Sequence, residues 1–88
     1  MDVKEAVRIA LEYVQELFAD EEITHLGLEE VEYNVTMDDW QVTVGFSRPW
    51  DYPTGSLAIL GAGSTPHRSY KRVTIKDGAV VSVTNRDL

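Results

Sequence analysis

Residues 31–47 read VEYNVTMDDWQVTVGFS, and their alternation is the clearest structural signal in the chain. Apolar and polar residues alternate on both sides of residues 36–39, and a period of two is typical of strands with one buried face. A hairpin that places Val35 opposite Trp40 brings both apolar rows onto the same face. We therefore predict a hairpin over about residues 28–47 in this register.

The chain before this hairpin has a helical period. Asp2 followed by Glu5 resembles a capping box, so we expect a helix over about residues 3–19. Acidic side chains are unfavourable near a helix C-terminus, so the helix should end close to residues 20–22. The apolar residues at helical spacing are Val3, Ala6, Val7, Ala10, Leu11, Val14, Leu17 and Phe18.

A second hairpin is predicted over about residues 68–86, around Lys-Asp-Gly at residues 76–78. A two-residue turn would place Val81 and Val83 on the opposite face from Val73 and Ile75. A three-residue loop with its glycine left-handed pairs Ile75 with Ala79. It also pairs Val73 with Val81 and collects the apolar residues on one face, so we predict this second register.

These elements predict one α+β domain over residues 1–88, in which an N-terminal helix packs on a four-stranded antiparallel sheet. The chain has no cysteine, which excludes disulfides, thiolate catalysis and thiolate metal sites. No apolar run reaches the roughly 18 residues of a membrane span. The N-terminus lacks the basic start and apolar core of a signal peptide, so we expect a cytoplasmic protein without membrane contact.

The charge of the chain is unevenly distributed. The net charge is −7, and residues 1–40 carry twelve acidic against two basic residues. Residues 41–88 carry six basic against three acidic residues. Nucleic-acid binders concentrate positive charge, so this balance argues against DNA or RNA and favours a basic protein partner.

A long connection over residues 48–67 separates the hairpins and holds all three prolines and three of the six glycines. Connections of this length are commonly functional or disordered. Aromatic and aliphatic side chains are costly to leave in water, so they either fold back over the core or bind a partner. The predicted partner-binding residues are Trp50, Tyr52, Leu57, Ile59 and Leu60.

No motif predicts catalysis, a metal or a cofactor. Residues 61–65 read GAGST, without the lysine of a phosphate loop or the full spacing of a dinucleotide site. His25 and His67 stand in no metal-ligand spacing. A small-ligand or enzymatic site under the long loop, beside Asp51 and His67, remains an alternative.

Basic residues alternate along the third predicted strand and suggest an anionic partner. The predicted register places Arg86 opposite Arg68. The alternative is internal pairing, because Glu30 and Glu32 point to the same side and can form cross-strand ion pairs. The predicted basic surface comprises Arg68, Tyr70, Arg72, Lys76 and Arg86.

The order of elements resembles a PepSY-type small domain. The resemblance lies in the N-terminal helix, in WQVTVGF at residues 40–46 and in YKRVTIKDGAVVSV at residues 70–83. It implies a non-catalytic binding or inhibitory role, although the central loop is longer than is usual in that family.

The sequence thus predicts a non-catalytic protein-binding module, such as a small acidic inhibitor, immunity or regulatory protein that acts through residues 48–67. One alternative is a structural module that forms a homodimer through a sheet edge or the open sheet face.

Overall fold

The computed structural model describes residues 1–49 and 68–86. Helix α1 spans Val3–Leu17, and a short 3₁₀ turn follows at Ala19–Glu21. Four strands form one antiparallel sheet in the order β1-β2-β3-β4. They are β1 at Thr24–Asn34, β2 at Asp39–Ser47, β3 at Ser69–Lys76 and β4 at Ala79–Asn85. The predicted α+β architecture is confirmed.

The helix begins and packs as its sequence pattern indicates. The backbone N–H of Glu5 donates to Asp2 Oδ1 at 2.8 Å, which satisfies one of the free amides of the first turn. The apolar stripe of α1 covers one face of the sheet, called here the core face; the opposite face is the outer face. The fully buried core comprises Ala6, Ala10, Val14, Val42, Val44, Phe46, Val73 and Ile75.

The predicted register of the first hairpin is wrong by two residues. Tyr33, and not Val35, lies opposite Trp40, and the turn consists of residues 35–38. The Asn34 side chain closes this turn by accepting a hydrogen bond from the Met37 amide at 3.1 Å. The Tyr33 and Trp40 rings pair at 5.2 Å between centroids. These local interactions outweigh the burial of Val35, which stays 80% exposed.

The predicted three-residue loop of the second hairpin is also wrong. Asp77 and Gly78 both have positive φ, at 53° and 78°, and form a two-residue turn whose twist suits a hairpin. Ile75 therefore pairs with Val80 rather than Ala79, and a bulge at Val81 places Val73 opposite Val83 rather than opposite Val81 as predicted. The cost of this arrangement is that Val81 is 60% exposed.

The bulge also changes the end of the last strand. The Arg86 amide donates to the Tyr70 carbonyl oxygen at 2.9 Å, so Arg86 lies beside Tyr70 rather than opposite Arg68 as predicted. Within the described residues, no helix is long and apolar enough to cross a membrane.

Candidate functional site

An open cleft of about 680 Å³ lies at the end of the sheet where the two hairpin turns meet. We call this the open end. An antiparallel meander brings both turns to the same end, and the first turn of α1 also starts there. Glu5 comes from that helical turn, Asp38 from the first hairpin turn and Asp77 from the second. The lining residues are Met1, Glu5, Tyr33, Asp38, Trp40, Ile75, Asp77 and Gly78.

The two aspartates of the cleft occupy strained positions in tight turns. Asp38 and Asp77 each have a φ of 53°, in the left-handed region, which aspartate tolerates better than most residues. Turn geometry therefore explains why short acidic residues stand at both positions. Its consequence is that two carboxylates lie beside the same cleft.

Two aromatic rings form the apolar part of the cleft. Tyr33 is the second-last residue of β1 and Trp40 the second residue of β2, and their rings tilt at 57° to each other. The Tyr33 hydroxyl donates a hydrogen bond to Asp38 Oδ1, which fixes the ring next to that carboxylate. This hydrogen bond, followed by burial and by the charges of Asp38 and Asp39, raises the pKa of Tyr33 above its ordinary value of 10.0.

The remaining acids of the cleft are Glu5 and Asp77. Among residues 1–49 and 68–86, neither Glu5 nor Asp77 forms an ion pair. Aromatic faces attract cations through the ring quadrupole, and carboxylates accept their N–H donors. The arrangement can therefore hold an organic cation such as an ammonium or guanidinium group.

The other end of the sheet is closed by the protein's own cations. Arg48 lies 5.4 Å from the ring centroids of both Phe18 and Phe46, and it forms an ion pair with Glu21 at 3.0 Å. Lys71 lies 5.5 Å from the Phe18 centroid. Burial, and then the charge of Arg48, lowers the pKa of Lys71 below its ordinary value of 10.5. We call this group the closed end.

The predicted basic surface lies on the outer face, together with acids from β1. Arg68 Nη2 lies 3.3 Å from Glu29 Oε1, and Arg86 Nη2 lies 3.3 Å from Glu30 Oε1. Lys76 Nζ donates to the Met37 carbonyl oxygen at 2.7 Å. Contacts within the protein thus engage three residues of the predicted basic surface. The other two, Tyr70 and Arg72, lie on β3 between Arg68 and Lys76.

The predicted partner-binding residues lie outside the described residues, as do Asp51 and His67. They are Trp50, Tyr52, Leu57, Ile59 and Leu60. Among the residues that the structure describes, no group of three or more histidines and acids is placed to hold a metal ion.

Sequence reasoning missed the cleft because it considered each hairpin turn by itself. The available signal was that Trp40 and Asp77-Gly78 fall at the turn ends of adjacent hairpins, which a meander brings together. In comparisons with known proteins, no family model, no curated protein and no solved structure matches this chain. The resemblance to PepSY-type domains stays a prediction.

Proposed function

We propose that this chain is a non-catalytic protein-binding module that recognises a basic segment of its partner at the open end. The observation that carries the proposal is the cleft itself, in which two aromatic rings and three carboxylates surround an open volume. A lysine or arginine side chain fits such a site, because its charge faces the carboxylates and its alkyl stem packs against the rings.

The charge of the whole chain supports the same partner. A net charge of −7 attracts a basic protein over long range and speeds the encounter. Small acidic inhibitors, immunity proteins and regulatory proteins act in this way, and the role is compatible with a cytoplasmic location. The residues predicted in the 48–67 segment would add apolar contacts to the same partner.

The test is a fluorescence titration in a Trp50→Phe background, which leaves Trp40 as the sole tryptophan. A lysine-rich peptide should change the Trp40 emission, and an increase in salt should weaken the binding. The same peptide with every lysine acetylated should not bind, because acetylation removes the charge.

A matched pair of variants tests whether the peptide binds at the cleft. Glu5→Gln/Asp77→Asn should weaken binding by about fivefold to tenfold, because both carboxylates line the cleft. Glu16→Gln/Asp20→Asn removes the same charge from exposed positions outside the cleft and should change affinity by less than about twofold. Equal losses in the two variants would mean that only the overall charge attracts the peptide.

A further inference from the structure

Strand β1 is an edge of the sheet, and within the described residues β2 is the only strand that pairs with it. Its pairing with β2 is irregular between Thr24 and Gly27 and again between Leu28 and Glu30. From Glu30 to Asn34 the register is regular. Bulges protect a strand edge from pairing, so residues 30–34 are the part of β1 that remains suited to accept another strand.

An apolar groove runs along the core-face side of this edge. Val3 and Val7 of α1 lie across it from Leu28 and Val31 of β1, and the groove has a volume of about 330 Å³. Lys4 completes a lining that is almost entirely apolar. Val3 and Leu28 both remain about half exposed. Side chains of an added strand that point to this side would therefore bury apolar surface.

The outer-face side of the same edge is acidic. Glu30 and Glu32 alternate with Val31 along β1 and so point away from the core face. Glu30 pairs with Arg86 but stays half exposed, and Glu32 has no ion pair among the described residues. Side chains of an added strand that point to this side would meet carboxylates.

These two sides specify the occupant. We propose that the β1 edge accepts a partner segment in which apolar residues alternate with lysine or arginine, bound as a fifth strand. The inference rests on the proposed function and defines how the basic partner binds. A second copy of this chain fits poorly, because two β1 edges would place Glu30 and Glu32 of both copies side by side. Tyr33 belongs to both β1 and the cleft, so a strand added along residues 30–34 ends beside the open end, where a basic residue that follows the strand reaches the cleft carboxylates.

The test uses peptides of about seven residues with uncharged, capped termini. Their binding to isotope-labelled protein is followed by nuclear magnetic resonance. A peptide that alternates lysine with valine should slow amide exchange in residues 30–34. A peptide of the same composition, with its lysines and valines in two blocks, should bind about tenfold more weakly. Methylation of alternate backbone nitrogens in the first peptide should also cost about tenfold if the methylated nitrogens face β1, because strand pairing needs those N–H donors.

A matched pair of variants tests the groove. Leu28→Lys should weaken binding of the alternating peptide by about tenfold. Val81→Lys, on the opposite edge strand, should leave the affinity for this peptide unchanged. If Leu28→Lys unfolds the protein, the methylated peptides on the wild type decide the question.

The outcomes separate this inference from the proposed function. Equal binding of the alternating and block peptides, with no protection of residues 30–34, would overturn the added strand and leave cation binding at the cleft intact. Absence of binding by both peptides would overturn the proposed function as well. Protection of residues 30–34 in the free protein, together with a dimeric mass in solution, would assign the edge to a second copy and overturn the inference.

Discussion

Both ends of this sheet combine aromatic rings with charged side chains, but the closed end has cations beside its rings and the open end has carboxylates. At the closed end, Arg48 and Lys71 lie over phenylalanine rings, and Arg48 is also paired with Glu21. At the open end, the rings of Tyr33 and Trp40 and the nearby carboxylates surround a cleft. Cations and rings satisfy each other at one end, whereas at the other Glu5 and Asp77 form no ion pair among the described residues. Charge thus supports the fold at the closed end, and the open end is where we propose that a cation of the partner binds.

The largest effect should come from deleting the central ring of the closed end. Phe46 is fully buried and packs 5.1 Å from the Phe18 centroid, so Phe46→Ala should lower the free energy of unfolding by about 3–5 kcal/mol. Tyr33→Ala at the open end should lower the free energy of unfolding far less, because Tyr33 is 43% exposed. Urea denaturation of both variants measures the difference. Similar losses would mean that the open end is as structural as the closed end.

A smaller effect is expected where ion pairs cover the outer face near the closed end. A Cβ on Gly45 would lie 2.7 Å from Arg68 Nη2 and 2.9 Å from Glu29 Oε1, so Gly45→Ala must displace that ion pair. Both atoms end flexible side chains, and the expected loss of stability is about 1 kcal/mol.

Gly27 provides the matched control, because it pairs directly with Gly45 and a Cβ there would meet nothing within 4 Å. Gly27→Ala should be neutral or stabilise the fold by up to about 0.5 kcal/mol. Thermal or urea denaturation checks both substitutions. A Gly27→Ala variant less stable than Gly45→Ala would contradict the assigned packing of the outer face.

The closed end should also show a dependence on alkaline pH. Because the pKa of folded Lys71 lies below 10.5, the unfolded state binds more protons between the two pKa values. The free energy of unfolding of the wild type should therefore rise, relative to Lys71→Met, as pH increases through that window towards 10.5. Urea midpoints at several alkaline pH values measure this difference. A constant or falling difference would contradict the burial of the ammonium group beside Arg48.

The smallest effect concerns the phenol of the open end. The hydrogen bond to Asp38 raises the pKa of Tyr33, so an absorbance titration should contain a component above 10.0 that Tyr33→Phe removes. Asp38→Asn should move this component towards lower pH, because it removes the charge and weakens the acceptor. The folded state holds this proton more tightly, so the contribution of Tyr33 to stability is present below pH 10.0 and declines above it. An unchanged titration in Asp38→Asn would mean that the Asp38 carboxylate does not interact with the Tyr33 hydroxyl.

The sequence was sufficient for the architecture because each element has its own period. Eight apolar positions at helical spacing and two alternating stretches leave one simple arrangement, and the structure confirms it. The registers needed more local detail. In the first hairpin, the strands are shifted by the Asn34 hydrogen bond that closes the turn and by the Tyr33–Trp40 ring pair. In the second hairpin, they are shifted by the bulge at Val81. A period of two cannot distinguish such shifts.

The candidate site was harder to predict than the fold. Glu5, Asp38 and Asp77 are far apart in the chain, and only the meeting of both turns with the start of α1 brings them to one cleft. Their residue types were already explained by helix capping and turn formation, so the only signal was that a meander brings the turn ends of the two hairpins together. The apolar residues predicted between residues 50 and 60 lie outside the described residues.

Cation binding at the open end is tested most directly by a nuclear magnetic resonance titration that follows both ends of the sheet. A lysine-rich peptide is added to isotope-labelled protein, and the signals of the backbone amides and tryptophan indoles are followed. We expect the Trp40 indole and the Asp38 and Asp77 amides to shift, with the Phe46 and Lys71 amides unchanged. Shifts confined to Phe46 and Lys71, or no shift at the open end, would contradict cation binding there.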